Sequence, residues 1–325
     1  MKKRCSPQLI LYALGILLSS CHRDIPDLDF KQEMRDFVQA ISDYAKTSDS
    51  TFIIIPQNGQ ELITLNGDNN GSADLTYLAV IDGQGREDLY YGYDDNNKAT
   101  PSVETEYMAD FLDIAREYDI VILVTDYCST PSKMDDSYTK NNMKMYISFA
   151  ADDRELNNIP SYPSSPFGEN DSEITSLHEI KNFLYLINPD QFANHQDFIT
   201  AITATNYDLL IMDLFFDEES FTNTDVEALR NKANGGKRLV VSYMSIGEAE
   251  DYRYYWRSSW KKGNPGWLYK ENPDWEGNYK VKYWMDGWKQ IIFGNENAYL
   301  DKILDAGFDG AYLDIIDAFE YFEAL

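Results

Sequence analysis

The sequence predicts an α/β protein with the (β/α)₈ TIM-barrel fold. Three observations predict it: short apolar runs alternate with helical patterns, eight such runs can be counted, and the runs are nearly continuous in Val, Ile, Leu and Tyr. Continuous runs of this kind are typical of parallel strands that are covered on both faces. The ~305 residues that follow the first twenty are enough for one large domain of the barrel kind.

The first thirty residues predict export and lipid attachment. A basic start at residues 2–4 precedes an apolar stretch at 9–18, which is shorter than the ~20 residues that a membrane span needs. The segment LSSC that ends at Cys21 resembles the lipobox of bacterial lipoproteins. We therefore expect a signal peptide over 1–20, a tether over 21–30 with Cys21 acylated, and a protein anchored to a membrane of the cell envelope.

Residues 31–325 form the predicted barrel domain. Its first element is an amphipathic helix over 31–46, where apolar residues recur at helical spacing. A further apolar run at 146–149 is a spare beyond the eight predicted strands. Those strands cover residues 52–58, 77–85, 120–127, 182–188, 207–216, 238–248, 280–286 and 310–315.

Charge and missing motifs exclude several classes of function. The 55 acidic residues outnumber the 28 basic ones, for a net charge of −27, which argues against nucleic acid as a partner. The same charge favours a neutral or cationic ligand. The three histidines form no metal-binding motif, and the chain contains no G-x-S-x-G, P-loop or dinucleotide fingerprint. We therefore expect neither a metal nor a cofactor.

Acidic side chains dominate the predicted carboxyl ends of the strands, where barrel enzymes carry their active sites. Paired carboxylates without histidine or metal are the equipment for glycoside hydrolysis. A strand-end aspartate can instead cap the helix that follows it. Asp82 and Asp126 are among the candidate substrate-binding residues. The strand-end residues are Gln57, Asn58, Asp82, Glu87, Asp126, Asp213, Glu248, Glu250, Asp286, Asp314 and Asp317.

Tryptophans are concentrated in one segment of the chain. All six lie within residues 256–288. Indole faces stack on sugar rings, so Trp256 and Trp284 are candidate substrate-binding residues. The alternative is that these side chains pack loops over the barrel core.

Several long motifs resemble one family. The segments VVSYMSIGEAEDYRYYW, NPGWL, YKVKYWMDGWKQII and AGFDGAYLDIIDAFEYF are similar to the barrel proteins of glycoside hydrolase family 114, whose characterised activity is endo-α-1,4-polygalactosaminidase. The resemblance covers most of 31–127 and 182–325. It implies Asp314 and Glu87 as the catalytic carboxylates, with Asp314 as nucleophile or base and Glu87 as general acid. It also implies sugar-binding roles for Asp213, Glu248, Tyr243, Arg253, Asp317 and Gln57.

The order of these motifs differs from that of the family. Segments that would follow the YLDIIDAFEYF strand in the family come first in this chain, beginning with the helix over 31–46. The resemblance therefore implies a circularly permuted barrel, in which residues 128–181 link the old ends. Chain termini that lie close together at the surface make such a permutation tolerable.

The resemblance thus implies an endo-acting glycosidase. Its expected substrate is an amino-sugar-containing polysaccharide such as α-1,4-linked polygalactosamine, because a protonated sugar amine gains a charge-assisted hydrogen bond from a carboxylate. One alternative is a non-catalytic glycan-binding lipoprotein on the same scaffold. A purely structural envelope protein is the other.

Overall fold

A computed structural model of the protein describes residues 25–325. In this part of the chain, eight strands pair in parallel and are labelled β1 to β8. The segment that contains the predicted signal peptide and Cys21 lies outside the described residues. The strands are β1 Ile53–Pro56, β2 Gly83–Glu87, β3 Val121–Tyr127, β4 Ile147–Ala151, β5 Phe183–Leu186, β6 Leu209–Asp213, β7 Leu239–Ser245 and β8 Gly310–Asp314.

The eight strands form two hydrogen-bonded parallel sheets. The larger sheet has the order β1-β8-β7-β6-β5, and the smaller has the order β2-β3-β4. The sheets meet at β1 and β2, where the Asp82 N–H donates to the Ile54 carbonyl and the Asn58 N–H to the Gly85 carbonyl, both at 2.9 Å. Between β4 and β5 the described residues form no strand ladder, so hydrogen bonding does not close a barrel.

Helices and short turns separate the parallel strands. Every residue of β1, β5, β6 and β7 is buried, as expected for strands with apolar neighbours on both faces. No helix within residues 25–325 is long and apolar enough to cross a membrane. The α-helices cover Phe30–Ser48, Leu75–Leu78, Ser102–Glu117, Pro131–Met143, His195–Thr203, Asn223–Leu229, Asp286–Ile292, Tyr299–Asp305 and Ala318–Glu323.

The two ends of the described chain lie together. Strand β1 pairs with β8 over four residues, from Ile53 opposite Gly310 to Pro56 opposite Leu313. The helix Phe30–Ser48 packs on the helix Ala318–Glu323, with the rings of Phe30 and Phe322 5.7 Å apart. The first and the last of the parallel strands are therefore neighbours in one sheet.

Two predicted strands are assigned wrongly. Residues 75–78 are helical and β2 begins only at Gly83, because Asp74 caps that helix by accepting from the N–H groups of Thr76 and Tyr77. The run predicted at 280–286 is not a parallel strand. Its first residues end an antiparallel strand, Trp275–Val281, which pairs with Leu268–Asn272 and Glu248–Glu250.

The spare run at 146–149 supplies β4 instead, which lies within the segment 128–181 that is interpreted as a linker. The first part of that segment is a helix, Pro131–Met143, followed by β4, which pairs with β3. The helix is mostly polar and buries only Met134, Ser137, Tyr138 and Asn141, so its sequence has a weak apolar period.

Candidate active site

A cavity of about 590 Å³ opens at the carboxyl ends of the strands. Its walls come from both sheets and from the loops after β4 and β7. Eight carboxylates line it against two arginines, so the cavity is strongly acidic. The charged residues in its wall are Glu87, Glu155, Asp213, Glu248, Glu250, Glu276, Asp314, Asp317, Arg154 and Arg253.

Gln57 joins the two predicted catalytic carboxylates. Its Nε2 donates to Glu87 Oε2 at 2.7 Å and to Asp314 Oδ1 at 3.2 Å. These two oxygens are at most about 5.9 Å apart, the combined length of the two hydrogen bonds. The Gln57 amide is held in turn by Tyr185, whose hydroxyl donates to Oε1 at 2.9 Å. Because β1 lies between β8 and β2, the residue that directly follows β1 reaches both neighbours.

Glu87 receives hydrogen bonds from three side chains. Besides Gln57, Asn58 Nδ2 donates to Oε2 at 2.9 Å, and the Tyr127 hydroxyl donates to Oε1 in a short hydrogen bond. Asn58 also accepts from the Glu87 N–H at 3.1 Å. Three donors to one carboxylate hold it in a fixed orientation on the cavity wall.

Asp314 is in a different electrostatic environment. Burial, followed by the charge of Glu87, raises its pKa to about 8, although the Tyr243 hydroxyl donates to Oδ2 at 2.7 Å. Burial also raises the pKa of the nearby Asp317 to about 6, against the opposing effect of Arg86. Asp314 is therefore protonated near neutral pH, where a general acid needs its proton.

Arg253 holds two other predicted residues of the cavity. Its Nη1 donates to Asp213 Oδ1 at 2.8 Å and its Nη2 lies 2.7 Å from Oδ2, while its Nε contacts Glu250 at 2.5 Å. All three side chains are less than 10% exposed. A planar guanidinium suits this two-carboxylate geometry, and it neutralises charges that would otherwise be costly to bury.

Glu248 is a third kind of carboxylate in this wall. It lies 3.1 Å from Lys280 Nζ and accepts from Asn272 at 2.9 Å. Burial raises its pKa, and the lysine opposes that effect. The antiparallel strand pairing of Glu248 opposite Lys280 brings the two charges together.

Arg154 and Tyr127 are site residues that the sequence did not indicate. The Arg154 guanidinium lies 3.8 Å from the centre of the Tyr127 ring and contacts Asp88 at 2.7 Å. Tyr127 in turn donates to Glu87. Arg154 follows β4, in the segment interpreted as a linker, so no strand-end signal indicated it.

Four predicted substrate-binding residues lie outside the cavity. Asp82 precedes β2 at its amino end and pairs with Lys46 at 3.0 Å. Asp126 is fully buried and accepts from the backbone N–H groups of Tyr90 and Tyr91. Since successive strand residues face opposite sides, Tyr127 faces the cavity and Asp126 does not.

The two tryptophans pack against other aromatic rings. Trp256 lies 4.8 Å from Tyr279, and Trp284 lies 4.8 Å from Phe322, measured between ring centres. Both side chains therefore fit the alternative interpretation, in which tryptophans pack loops over the core. Trp275 is the tryptophan that lines the cavity among the described residues. These residues also contain no group of three or more His, Cys, Asp or Glu arranged to hold a metal ion.

Comparison with known proteins finds a similarity to one family of glycoside hydrolases. The model of Glycoside-hydrolase family GH114, a TIM-barrel family, matches residues 188–324. The match contains β6 to β8 with Asp213, Arg253 and Asp314, and it does not extend to Glu87. It supports the family on the second half of the chain.

Three relatives carry no functional name. The uncharacterized protein MJ1477 of Methanocaldococcus jannaschii is 41% identical over 156 residues, which are 45% of this chain and 44% of that protein. An uncharacterized protein of Thermotoga maritima is 42% identical over 37% of this chain and 36% of its own length. An uncharacterized protein of Deinococcus radiodurans is 38% identical over 38% of this chain and 37% of its own length. The chain thus spans less than half the length of these relatives.

Proposed function

We propose that the protein is an endo-acting glycosidase that cleaves an amino-sugar-containing polysaccharide, such as α-1,4-linked polygalactosamine, with two carboxylates. The observation that carries the proposal is the Asp314 and Glu87 pair, which shares the Gln57 amide on the cavity wall. The family match to residues 188–324 supports the same class of reaction.

The proposed scaffold is a circularly permuted (β/α)₈ barrel. Neighbouring strands follow the chain order from β1 to β8, and β8 pairs with β1, as in a barrel. At the remaining boundary, the rings of Phe149 in β4 and Phe183 in β5 lie 5.8 Å apart. A family match confined to residues 188–324 is what a permuted motif order would produce.

The electrostatics favour catalytic roles opposite to those that the resemblance implies. Asp314, with its raised pKa, is the better general acid and protonates the leaving glycosidic oxygen. Glu87, with three side-chain donors, is the better carboxylate for attack on the sugar carbon.

The spacing of the pair favours retention of configuration. Retaining enzymes hold their carboxyl groups ~5–5.5 Å apart, and inverting enzymes ~6.5–9.5 Å. With at most about 5.9 Å between the bridged oxygens, Glu87 would form a glycosyl-enzyme as the leaving oxygen takes the proton of Asp314. The Asp314 carboxylate would then accept a proton from the water that releases the sugar.

Charge supports a cationic substrate. Asp213, Glu250 and Glu248 have cationic partners in Arg253 and Lys280. The rest of the lining retains a strong negative excess, and a protonated amine would gain charge-assisted hydrogen bonds there.

The test is hydrolysis of α-1,4-linked galactosamine polymer, followed by reducing-end release and product size. Asp314→Asn and Glu87→Gln should each lower turnover by roughly 10²-fold or more. Glu218→Gln, on an exposed turn, is the matched control. NMR of the first product should show the α-anomer. Full activity in both site variants would overturn the mechanism, and loss of activity with a chelator would indicate a metal route.

No cleavage of any amino-sugar polymer by the wild type would overturn the substrate assignment. If the polymer still bound, the glycan-binding alternative would replace the hydrolase.

We also propose that the protein is a lipoprotein of the cell envelope. The support is the LSSC segment in the sequence. Radiolabelled lipid should be incorporated into the wild type and not into Cys21→Ser, and only the wild type should fractionate with membranes. Equal recovery of both in the soluble fraction would contradict the anchor.

A further inference from the structure

Two large aromatic side chains are exposed at the cavity. Trp275 is 53% exposed and Tyr252 is 62% exposed, and both line the cavity wall. By contrast, Trp288 and Trp267 are at most 5% exposed. An exposed indole within a concave, charged site is unusual for a side chain with a packing role, and it points to a ligand.

Trp275 is carried by an antiparallel hairpin. It pairs with Asn272 at the start of the strand Trp275–Val281. Two residues on, the Gly277 carbonyl accepts from the Asp251 N–H at 2.9 Å. Gly277 has φ +83°, and a Cβ there would lie 2.8 Å from Asp251 Oδ1, so this close approach requires glycine. The hairpin is thereby fixed to the loop that carries Tyr252.

Tyr252 is oriented by a hydrogen bond and a cation. Its hydroxyl donates to Glu250 Oε1 at 2.7 Å, and the Arg253 guanidinium lies 5.2 Å from its ring centre. Both contacts belong to the network that holds Asp213. The ring can therefore be exposed while its orientation stays defined, which keeps the entropic cost of binding low.

Two carboxylates of the cavity remain available for a cationic ligand. Glu276 follows Trp275 directly, and Glu155 comes from the loop after β4. Both are exposed, and neither forms an ion pair with another described residue. An indole face attracts cations through its quadrupole, so an aromatic ring beside a free carboxylate suits a sugar that carries an ammonium group.

We propose that Trp275 and Tyr252 form a binding subsite for one amino-sugar unit of the glycan, separate from the bond that Asp314 and Glu87 cleave. The indole stacks on the apolar face of the pyranose ring, and Glu276 accepts hydrogen bonds from its ammonium group. This inference rests on the proposed function for the identity of the polymer. The aromatic contacts themselves stand apart from the catalytic pair.

The experiment measures binding and cleavage separately. Calorimetry with α-1,4-linked galactosamine oligomers on an Asp314→Asn background avoids turnover. Adding Trp275→Ala should weaken binding by about tenfold, because the stacked indole contact with the sugar ring is lost. Trp275→Phe should recover most of that loss. Trp256→Phe, outside the cavity, is the matched control and should bind normally.

Glu276→Gln tests the charge contact. Replacement should reduce the preference for free-amine oligomers over their N-acetylated forms by several-fold, with stacking retained. If Trp275→Ala binds as tightly as the background, the subsite is wrong, whatever the turnover. If oligomers bind in a Trp275-dependent manner and the wild type cleaves none, the subsite stands and the hydrolase proposal falls. Absence of binding in every variant overturns the subsite.

Discussion

Two carboxylate pairs share one cavity and differ in their counter-ions. Asp213 and Glu250 lie on either side of Arg253, which donates to both. Asp314 and Glu87 are joined by the neutral amide of Gln57. A neutral bridge can align two carboxyl groups, but it removes none of their charge.

The difference indicates which pair can do chemistry. Asp213 and Glu250 are fixed in place by the guanidinium of Arg253, which compensates their charge. Asp314, beside another carboxylate, has a pKa of about 8 and can give and regain a proton. We infer that the Arg253 group shapes the site and that the Gln57-linked pair reacts in it.

The largest expected effect comes from removing the cation of the first pair. Arg253→Met leaves two buried carboxylates without a partner and should lower the free energy of unfolding by about 3–5 kcal/mol. Urea denaturation measures it. Adding Asp213→Asn and Glu250→Gln should recover a large part of the loss. If the free energy of unfolding of Arg253→Met lies within about 1 kcal/mol of that of the wild type, the argument that buried carboxylates need this cation is contradicted.

Removing the carboxyl group of Asp314 from the second pair should have the opposite effect and raise the stability of the protein. The folded-state pKa of Asp314, about 8, lies above its ordinary value of 3.8, so the native state keeps a proton that the unfolded chain releases. Stability therefore falls as pH rises from about 4 to 8. Asp314→Asn should be more stable than wild type by on the order of 1–3 kcal/mol near pH 8, and by little near pH 4.

Thermal melts of the two variants across pH test that sign. Asp213→Asn is the comparison, since it deprives Arg253 of a partner and should destabilise the protein. A gap between Asp314→Asn and wild type that shrinks with rising pH would refute the linkage.

The pH dependence of activity sharpens the assignment of the acid. If Asp314 donates the proton, kcat/KM should fall about tenfold per pH unit above about 8. The charge of Asp317 also raises the pKa of Asp314, so Asp317→Asn should move this alkaline limb to lower pH. Steady-state rates from pH 5 to 10 measure both. If the alkaline fall in kcat/KM is unchanged in Asp317→Asn, a group other than Asp314 causes it.

The smallest expected effect concerns Arg154. Replacement by Met removes the cation over the Tyr127 ring and loosens the hydroxyl that donates to Glu87, so kcat should fall roughly three- to tenfold. Arg154→Lys keeps the charge and should lose less. If the wild type, Arg154→Met and Arg154→Lys have equal values of kcat, Arg154 has no role in catalysis beyond its structural ion pair with Asp88.

The expectation that active-site residues lie at the carboxyl ends of the strands located part of the site from the sequence. It indicated Gln57, Glu87, Asp213 and Asp314, which the structure brings to one cavity. It misplaced Asp82, because the first residues of the apolar run at 77–85 end a helix and the strand begins at Gly83, just after the aspartate. Asp82 therefore lies at the amino end of β2, and the apolar pattern does not resolve this boundary.

The sequence by itself determined the alternation of strands and helices and the acidic nature of the strand ends, because both follow from local residue types. Only the tertiary structure decided which carboxylates are compensated. Arg253 meets Asp213 across 40 positions of chain, and Gln57 meets Asp314 across 257. Such contacts depend on which strands become neighbours. Burial then converts identical carboxyl groups into a fixed ion pair in one place and a protonated acid in another.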